Sequence, residues 1–427
     1  MRGGSVWARL LGVEKTLVDE VWFDEEEQVL VASVRPKARE RSRCGLCRRR
    51  SPGYDAGEGS RRWRALDLGT VQAYLAADAP RVRCPRHGVV VAAVPWARHG
   101  AGHTHGFDDT VAWLAVACSK SAVTQLMRVA WRTVGAIVKR VCADVDATVD
   151  RFAGLRRIGI DEISYKKQHK YLTVVVDHDS GRLVWAAPGH GLKVLHRFFD
   201  ALGADRCAQI SHVSADGADW IATVVADRCP AAVRCADAFH VVQWATEALD
   251  EVRRAAWNDA RGKAGGWAYS NDGRRRRRLS QGDAKALKRS RWALWKNPDD
   301  LTSNQTAKLA WIAKTDPRLF RAYLLKEGLR HVFKLAGAAG KQALDRWVSW
   351  ARRCRIPAFV QLQRKIMRHR EPIEATLHHG LSNGLIESTN TKIRLLTRIA
   401  FGFKDPQALI ALAMLSLGGY RPNLPGR

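Results

Sequence analysis

Between residues 156 and 177 the chain reads RRIGIDEISYKKQHKYLTVVVD, the stretch that most constrains its fold. Ile158 and Ile160 alternate with Arg157 and Gly159 up to Asp161, the period of a half-buried strand. A β-branched run, 171–176, follows the polar turn 166–170. Two adjacent strands are expected, with the Asp161 carboxylate near a strand end. Because side chains alternate along a strand, Glu162 is expected to face away from Asp161.

The pattern continues with a strand at 182–187, a helix at 192–202 and a strand at 210–214 that runs into Ala215-Asp216-Gly217-Ala218. A helix at 220–227 and a strand at 232–235, running into Ala236-Asp237-Ala238-Phe239-His240, complete it. Three strands, helix, strand, helix, strand is the order of an α/β ribonuclease-H-like core, in which carboxylates ending the first and fourth strands lie side by side. Asp216 and Asp237 both follow a strand and compete for the second position. Gly217 favours Asp216, because glycine permits close approach of backbone or phosphate.

From 241 to 377 strand signals vanish and a basic, all-α region takes over. It holds Arg274, Arg275, Arg276, Arg277 and Arg278 inside a Gly-rich polar segment, 262–282, that reads as a flexible loop. Such a run is either a solvated face or a phosphate-contacting loop, since adjacent guanidinium groups repel unless an anion is near. Ser382-Asn383-Gly384 breaks the chain before a helix over 385–396. Ile386, Ile393 and Leu396 share one side of it; Glu387, Asn390, Thr391 and Arg394 share the other.

Upstream, residues 16–93 read as short strands at 21–23, 29–34, 71–75 and 89–94. Cys44-Gly-Leu-Cys47 and Cys84-Pro-Arg-His87 interrupt them. Each pair can grip one ion from a tight turn, and thiolates with an imidazole favour tetrahedral zinc. Cys44, Cys47, Cys84 and His87 are the expected ligands, with His99, His103 and His105 as rivals for the fourth place. Next come three helices: one capped by Asp108 and running to Cys118, one capped by Ser121, and one over 131–142. This is helix-turn-helix spacing, which is also that of a plain helical linker. As a DNA-binding unit it would offer Arg128, Arg132, Lys139 and Arg140 to phosphates or base edges.

With 427 residues, 46% of them hydrophobic, the chain can build two or three cores. A formal charge of +29 draws polyanions: DNA, RNA or an anionic membrane surface. No apolar run approaches the roughly 18–20 residues that span a bilayer. The N-terminus has no signal-peptide pattern, so a cytoplasmic protein is expected. Nine cysteines, an odd number, argue for reduced thiols.

These segments, in this order, resemble the ISL-three family of bacterial insertion-sequence transposases of the DDE class along essentially the whole chain. The matching pieces are the Cys-x-x-Cys module, the helix-turn-helix, IGIDEISYKKQHKYLTVVVD, VSADGADW, CADAFHVV, EALDEVRR, AYLLKEGLR and LSNGLIESTNTKIRLLTRIAFGF. The family's second zinc pair is commonly two cysteines, and here His87 takes the last place. The resemblance implies that Asp161, Asp216 and Glu387 form the catalytic carboxylate triad. It implies that Asp237 and His240 form an Asp-x-x-His signature with a structural or DNA-positioning role, and that the helical block is an insertion domain. The expected division is a zinc module (1–105), a helix-turn-helix (106–150), a first core part (151–240), an all-α insertion (241–380) and a second core part carrying Glu387 (381–427).

The implied partner is double-stranded DNA, both terminal inverted repeats and target, met by at least a dimer. Three carboxylates suit two Mg²⁺ ions, with Mn²⁺ as a substitute, and Zn²⁺ is structural. Lys392, Arg394 and Arg398 are expected to meet the DNA backbone beside Glu387. A non-catalytic zinc and helix-turn-helix regulator, or a structure-specific nuclease of the same fold, are the alternative readings.

Overall fold

The computed structural model describes residues 3–166, 170–216, 218–262, 267–269, 275–277, 281–381 and 383–424. The expected turn residues 167–169, Gly217, Ser382, Arg274 and Arg278 lie outside the described residues.

A short helix α1 (Gly3–Leu10) precedes strands β1 (Thr16–Asp24), β2 (Val29–Pro36), β3 (Gly53–Asp55), β4 (Ser60–Arg64), β5 (Gln72–Asp78), β6 (Arg81–Cys84) and β7 (Gly88–Val91). They form a four-stranded sheet in the order β1-β2-β5-β4 and a three-stranded sheet β3-β6-β7. Strand β1 begins five residues earlier than its apolar run suggested, because Thr16–Asp24 pairs along the whole of β2 in spite of its charged, exposed alternate positions. A core of Val34, Trp63, Ala73, Leu75 and Trp96 fills the larger sheet's inner face.

Helices α2 (His105–Ala117), α3 (Lys120–Met127) and α4 (Trp131–Thr148) follow. Their caps differ from expectation. Thr104 caps α2 by accepting from the Phe107 N–H, and Ser119 caps α3 by accepting from the Ala122 N–H. Asp108 cannot cap, because its fully buried carboxylate is committed elsewhere: it accepts from Arg140 at 2.9 and 3.0 Å and faces Arg98 and His103. Helix α4 continues to Thr148, six residues past its expected end, as Val134, Ile137, Val138 and Val141 pack into the shared core.

The next sheet contains β8 (Arg157–Lys166), β9 (Lys170–Asp177), β10 (Leu183–Pro188), β11 (His212–Ala215) and β12 (Val233–Ala236), in the order β10-β9-β8-β11-β12. The first three strands are antiparallel neighbours, and β11 runs parallel to both β8 and β12. Helices α5 (Leu192–Leu202), α6 (Ala204–Cys207) and α7 (Asp219–Arg228) lie among the connections.

Both faces of this sheet are buried, and alternation along β8 shows why. Ile158 and Ile160 enter the core shared with Leu195, Phe198 and Val224 of α5 and α7. Ile163, of opposite parity, enters the core shared with α2, α4 and the C-terminal helices. Gly159 shares that second face; a Cβ there would come within 2.9 Å of His178 Nε2 and 3.0 Å of Val176 Cγ2, so the crossing of β8 with its neighbours requires glycine.

Helix α8 (Ala238–Gly262) leaves the sheet at β12 and opens a helical unit. Strands β13 (Trp267–Tyr269) and β14 (Arg275–Arg277) pair antiparallel, so a segment expected as a flexible loop contains two short paired strands. Helices α9 (Gln281–Lys288), α10 (Arg291–Trp295), α11 (Ser303–Thr315), α12 (Pro317–Val332), α13 (Gly337–Arg353), α14 (Pro357–Arg368) and α15 (Arg370–His379) complete the unit around a separate core.

The chain returns where it left: Thr376 Oγ1 of α15 donates to the Ala236 carbonyl at 2.7 Å. Gly380, at φ +66, ends α15 in the left-handed conformation that suits glycine. Then α16 (Gly384–Ile399) crosses the β8 face, and α17 (Pro406–Leu417), buried along most of its length, packs between α4 and β10.

Candidate active site and metal centre

The Cys44–Cys47 turn closes through a hydrogen bond from the Arg48 N–H to the Cys44 carbonyl at 2.9 Å. Cys84 ends β6, and His87 occupies the turn before β7, where Cys84 pairs with Gly88. Two local turns therefore deliver four donors. Cys44 Sγ lies 3.6 Å from His87 Nδ1, Cys47 Sγ 3.7 Å from Cys84 Sγ, and Cys84 Sγ 3.7 Å from His87 Nδ1. All four ligand atoms fall within 4.8 Å of one another. Sulfurs at ~2.3 Å from a tetrahedral zinc would stand ~3.8 Å apart, so the donor set and its spacing fit that ion. Backbone N–H groups of Arg86 and His87, with the His87 side chain, draw the Cys84 thiol down to about 6, toward the thiolate a metal needs.

His99 packs over this turn, and a Cβ on Gly45 would fall 2.3 Å from its Nδ1. It stands against the knuckle without joining the four donors. His103 faces Asp108 and stacks on Phe107 with ring centroids 5.0 Å apart, and His105 begins α2.

The carboxylates are arranged by strand register. Parallel pairing of β8 with β11 ends at Gly159 and Ser214, and pairing of β11 with β12 ends at Ala215 and Ala236. Asp161 and Asp216 each lie two residues beyond the Gly159–Ser214 pair, and Asp216 and Asp237 each lie one beyond the Ala215–Ala236 pair. The three side chains thus occupy equivalent positions on neighbouring strands. Asp161 sits in mid-strand, since β8 continues to Lys166 against β9 alone; what ends there is the parallel pairing. Glu162 turns to the opposite face as expected, where its Oε1 accepts from the Gly191 N–H at 2.8 Å.

Helix α16 lies across the Asp161 face and carries Glu387 in its first turn. Asn390, less than one turn further, donates from Nδ2 to Asp161 Oδ2 at 2.7 Å. Burial pushes the Asp161 carboxyl up to about 6; the Glu162 N–H and His240 oppose the shift, and Asp216 and Asp237 add to it. Burial and the Asp237 charge also raise Glu387. His240 is raised chiefly by its hydrogen bond to Asp237 and further by the charges of Asp216 and Asp161, so its imidazolium is favoured. Five groups from four segments thus share one electrostatic environment. They do not close around a point: among the described residues, the cysteine and histidine set alone brings three or more such donors within 4.8 Å.

The cationic residues divide. Arg128 donates to the Thr70 carbonyl at 2.7 Å and pairs with Asp67 at 2.8 Å, Lys139 pairs with Asp405 at 2.8 Å, and Arg140 turns in to Asp108. Arg132, Lys392, Arg394 and Arg398 are exposed. Arg275, Arg276 and Arg277 form β14.

Three family models match the chain in order. Residues 40–87 match the zinc-finger of transposase IS204/IS1001/IS1096/IS1165, residues 92–142 the helix-turn-helix domain of transposase family ISL3, and residues 158–413 the ISL3 transposase of the DDE class. The chain is 65% identical, over all of its length and 98% of the relative's, to the transposase for insertion sequence element IS1557 of Mycobacterium tuberculosis.

The chain belongs to the ISL3 family of DDE transposases.

It is also 27% identical, over 69% of its length and 70% of the relative's, to the transposase for insertion sequence element IS1001 of Bordetella parapertussis. This transposase is accordingly a DNA-binding enzyme of transposition, and the DDE class implies use of a divalent metal. No helix among its described residues is long and apolar enough to cross a membrane. The contact of Asn390 with Asp161 had no assigned role in the sequence, although its position three residues after Glu387 on one helix face was the available signal.

Proposed function

We propose that Asp161, Asp216 and Glu387 hold two Mg²⁺ ions in a ribonuclease-H-like core, with Mn²⁺ as a substitute, and that Cys44, Cys47, Cys84 and His87 hold a structural Zn²⁺. The sheet order β10-β9-β8-β11-β12 supports the fold reading. The observation that carries the site is the shared register of Asp161 and Asp216 beneath the helix that bears Glu387. A half-buried Asp161 carboxylate, repelled by the Asp216 and Asp237 charges, offers oxygen donors that suit a hard dication. When bound, the two ions stabilise charge on the attacking and leaving oxygens of an in-line displacement.

The chain's own groups prepare that displacement. Asp161, on the central strand of the sheet, is held in one orientation by a hydrogen bond to each oxygen. The His240 imidazolium, held by Asp237, is placed to attract a phosphate oxygen and register the scissile bond. Water opens the phosphodiester at the element end and frees a 3′ hydroxyl. That hydroxyl then attacks a target phosphodiester, displacing a target 3′ oxygen.

The helix-turn-helix, with exposed Arg132, reads the terminal inverted repeats. Lys392, Arg394 and Arg398 track the backbone beside Glu387, and the arginine run 274–278 meets phosphate. Arg128, Lys139 and Arg140 reach DNA only by giving up their present partners. The division is 1–105, 106–150, 151–240, 241–380 and 381–427. Pairing two element ends calls for at least two copies of this cytoplasmic, nucleoid-associated protein.

A strand-transfer assay on terminal-repeat DNA tests this. The wild type should cut and join in Mg²⁺, while Asp161→Asn, Asp216→Asn and Glu387→Gln should retain end binding and lose both steps. Cutting without joining would indicate a nuclease of the same fold.

A further inference from the structure

The side chain of Asn390 physically links the segments that carry Asp161 and Glu387. It is 3% exposed, and the partner of its Nδ2 lies 229 residues away in the chain. Its Oδ1 is buried with no hydrogen-bond partner among the described residues. Burying an unpaired amide oxygen costs about 1–3 kcal/mol, so a leucine of similar volume would serve the core better than asparagine does. The amide is better explained by what it does to Asp161.

Asp161 Oδ1 accepts from the Glu162 N–H at 2.7 Å, and Oδ2 accepts from Asn390. One donor on each oxygen fixes the plane of the carboxylate. Each oxygen keeps a further lone pair, and carboxylates offer about four acceptor sites in all. The bond therefore orients Asp161 without filling it. Asn390 lies in the buried stripe of α16 with Ile386 and Ile393, three residues after the exposed Glu387, so the same bond anchors to Asp161 the helix that carries Glu387.

We infer that Asn390 is a positioning residue for the divalent cation site, and that cation affinity depends on its amide. This rests on the reading of Asp161 and Glu387 as cation-holding residues. Hydrogen bonds that orient metal-binding side chains typically account for about 10–100-fold in metal affinity.

The test uses the full, zinc-loaded chain and Mn²⁺ as the probe. Calorimetric titration should show the apparent Mn²⁺ Kd of Asn390→Ala and Asn390→Leu raised about 10–100-fold over wild type. The Mn²⁺ concentration for half-maximal cleavage should rise in step, with most of the maximal rate recovered at saturation. Terminal-repeat binding by the zinc-loaded chain without added Mg²⁺ or Mn²⁺ should be unchanged. Asn390→Leu keeps the volume filled and removes the unpaired oxygen, so it should fold even where the alanine variant does not. A folded leucine variant with wild-type Mn²⁺ affinity would overturn the proposal. Asp161→Asn, titrated in parallel, should lose Mn²⁺ binding. If it binds Mn²⁺ as wild type does, the cation-site reading itself fails; if it loses binding while the Asn390 variants do not, only the role of Asn390 falls.

Discussion

At the knuckle, four donors from two turns, 44–47 and 84–87, already lie within 4.8 Å of one another, whereas Asp161, Asp216 and Glu387 come from segments 55 and 171 residues apart and stand together without converging. Local turn geometry builds the first arrangement, and strand register plus a returning helix build the second. A site closed in advance suits an ion that stays. Spaced carboxylates under charge repulsion suit ions that arrive with a polyanionic substrate to complete the set. The comparison predicts that the two sites respond differently to metal removal and to mutation.

The largest expected effect is at the knuckle. Structural zinc contributes on the order of 10–16 kcal/mol of apparent binding free energy in small zinc domains. Cys44→Ser, Cys84→Ser or extraction with a strong chelator should unfold the N-terminal module and abolish end-specific binding in a gel-shift assay. Omitting Mg²⁺ and Mn²⁺ while leaving the zinc in place should stop cleavage and spare binding. Cleavage and binding lost together under both treatments would erase the distinction between the sites.

Next in size is the choice of second carboxylate. Asp216→Asn should remove cleavage to below detection, while Asp237→Asn, which releases His240, should cost about 10–100-fold, as for other groups that orient a site. The reverse order in a single-turnover assay would move the site one strand along the sheet.

Asp108 tests how the N-terminal modules are joined. Its fully buried carboxylate pairs with Arg140 and faces His103 and Arg98, the last of which also reaches Asp109 and Asp144. Asp108→Ala should leave the partly buried Arg140 without its carboxylate and destabilise by less than the ~3–5 kcal/mol of breaking a fully buried pair, read as a lowered Tm.

The smallest effect is on pH dependence. The folded Asp161 carboxyl, at about 6, lies above its ordinary value of 3.8. Without added Mg²⁺ or Mn²⁺ its contribution to stability is therefore full below about 4 and is lost as pH rises through about 6. Over that window Asp161→Asn should flatten part of the fall in Tm with pH, and saturating Mn²⁺ should do likewise in the wild type.

Much of this was legible in the sequence because periodicity and turn chemistry are local. The boundaries of α5 match the expected helix at 192–202, and the succession of strands and helices along the core followed from alternation and turn residues. Cys44, Cys47, Cys84 and His87 were legible for the same reason, since each pair needs only its own turn. The misplaced caps at Asp108 and Ser121 have a different origin: a cap is defined by backbone conformation, and the arginines that claim Asp108 approach from 10 and 32 residues away. Lys326 was equally hidden. It lies buried in the helical unit with Nζ on the Leu294 carbonyl at 2.7 Å, a partner no helical period announces. The pairing of Asn390 with Asp161 depends on where α16 re-enters after the insertion, which tertiary packing alone decides.

The central claim is that Asp161, Asp216 and Glu387 hold the working cations. Replacing Mg²⁺ with Fe²⁺ and generating hydroxyl radicals with ascorbate cuts a polypeptide beside the bound ion. On the terminal-repeat complex, mass spectrometry of the fragments should place the breaks near residues 161, 216 and 387, with Mg²⁺ competing them away. Breaks at other segments, or a pattern that persists unchanged in Asp161→Asn, would contradict the account.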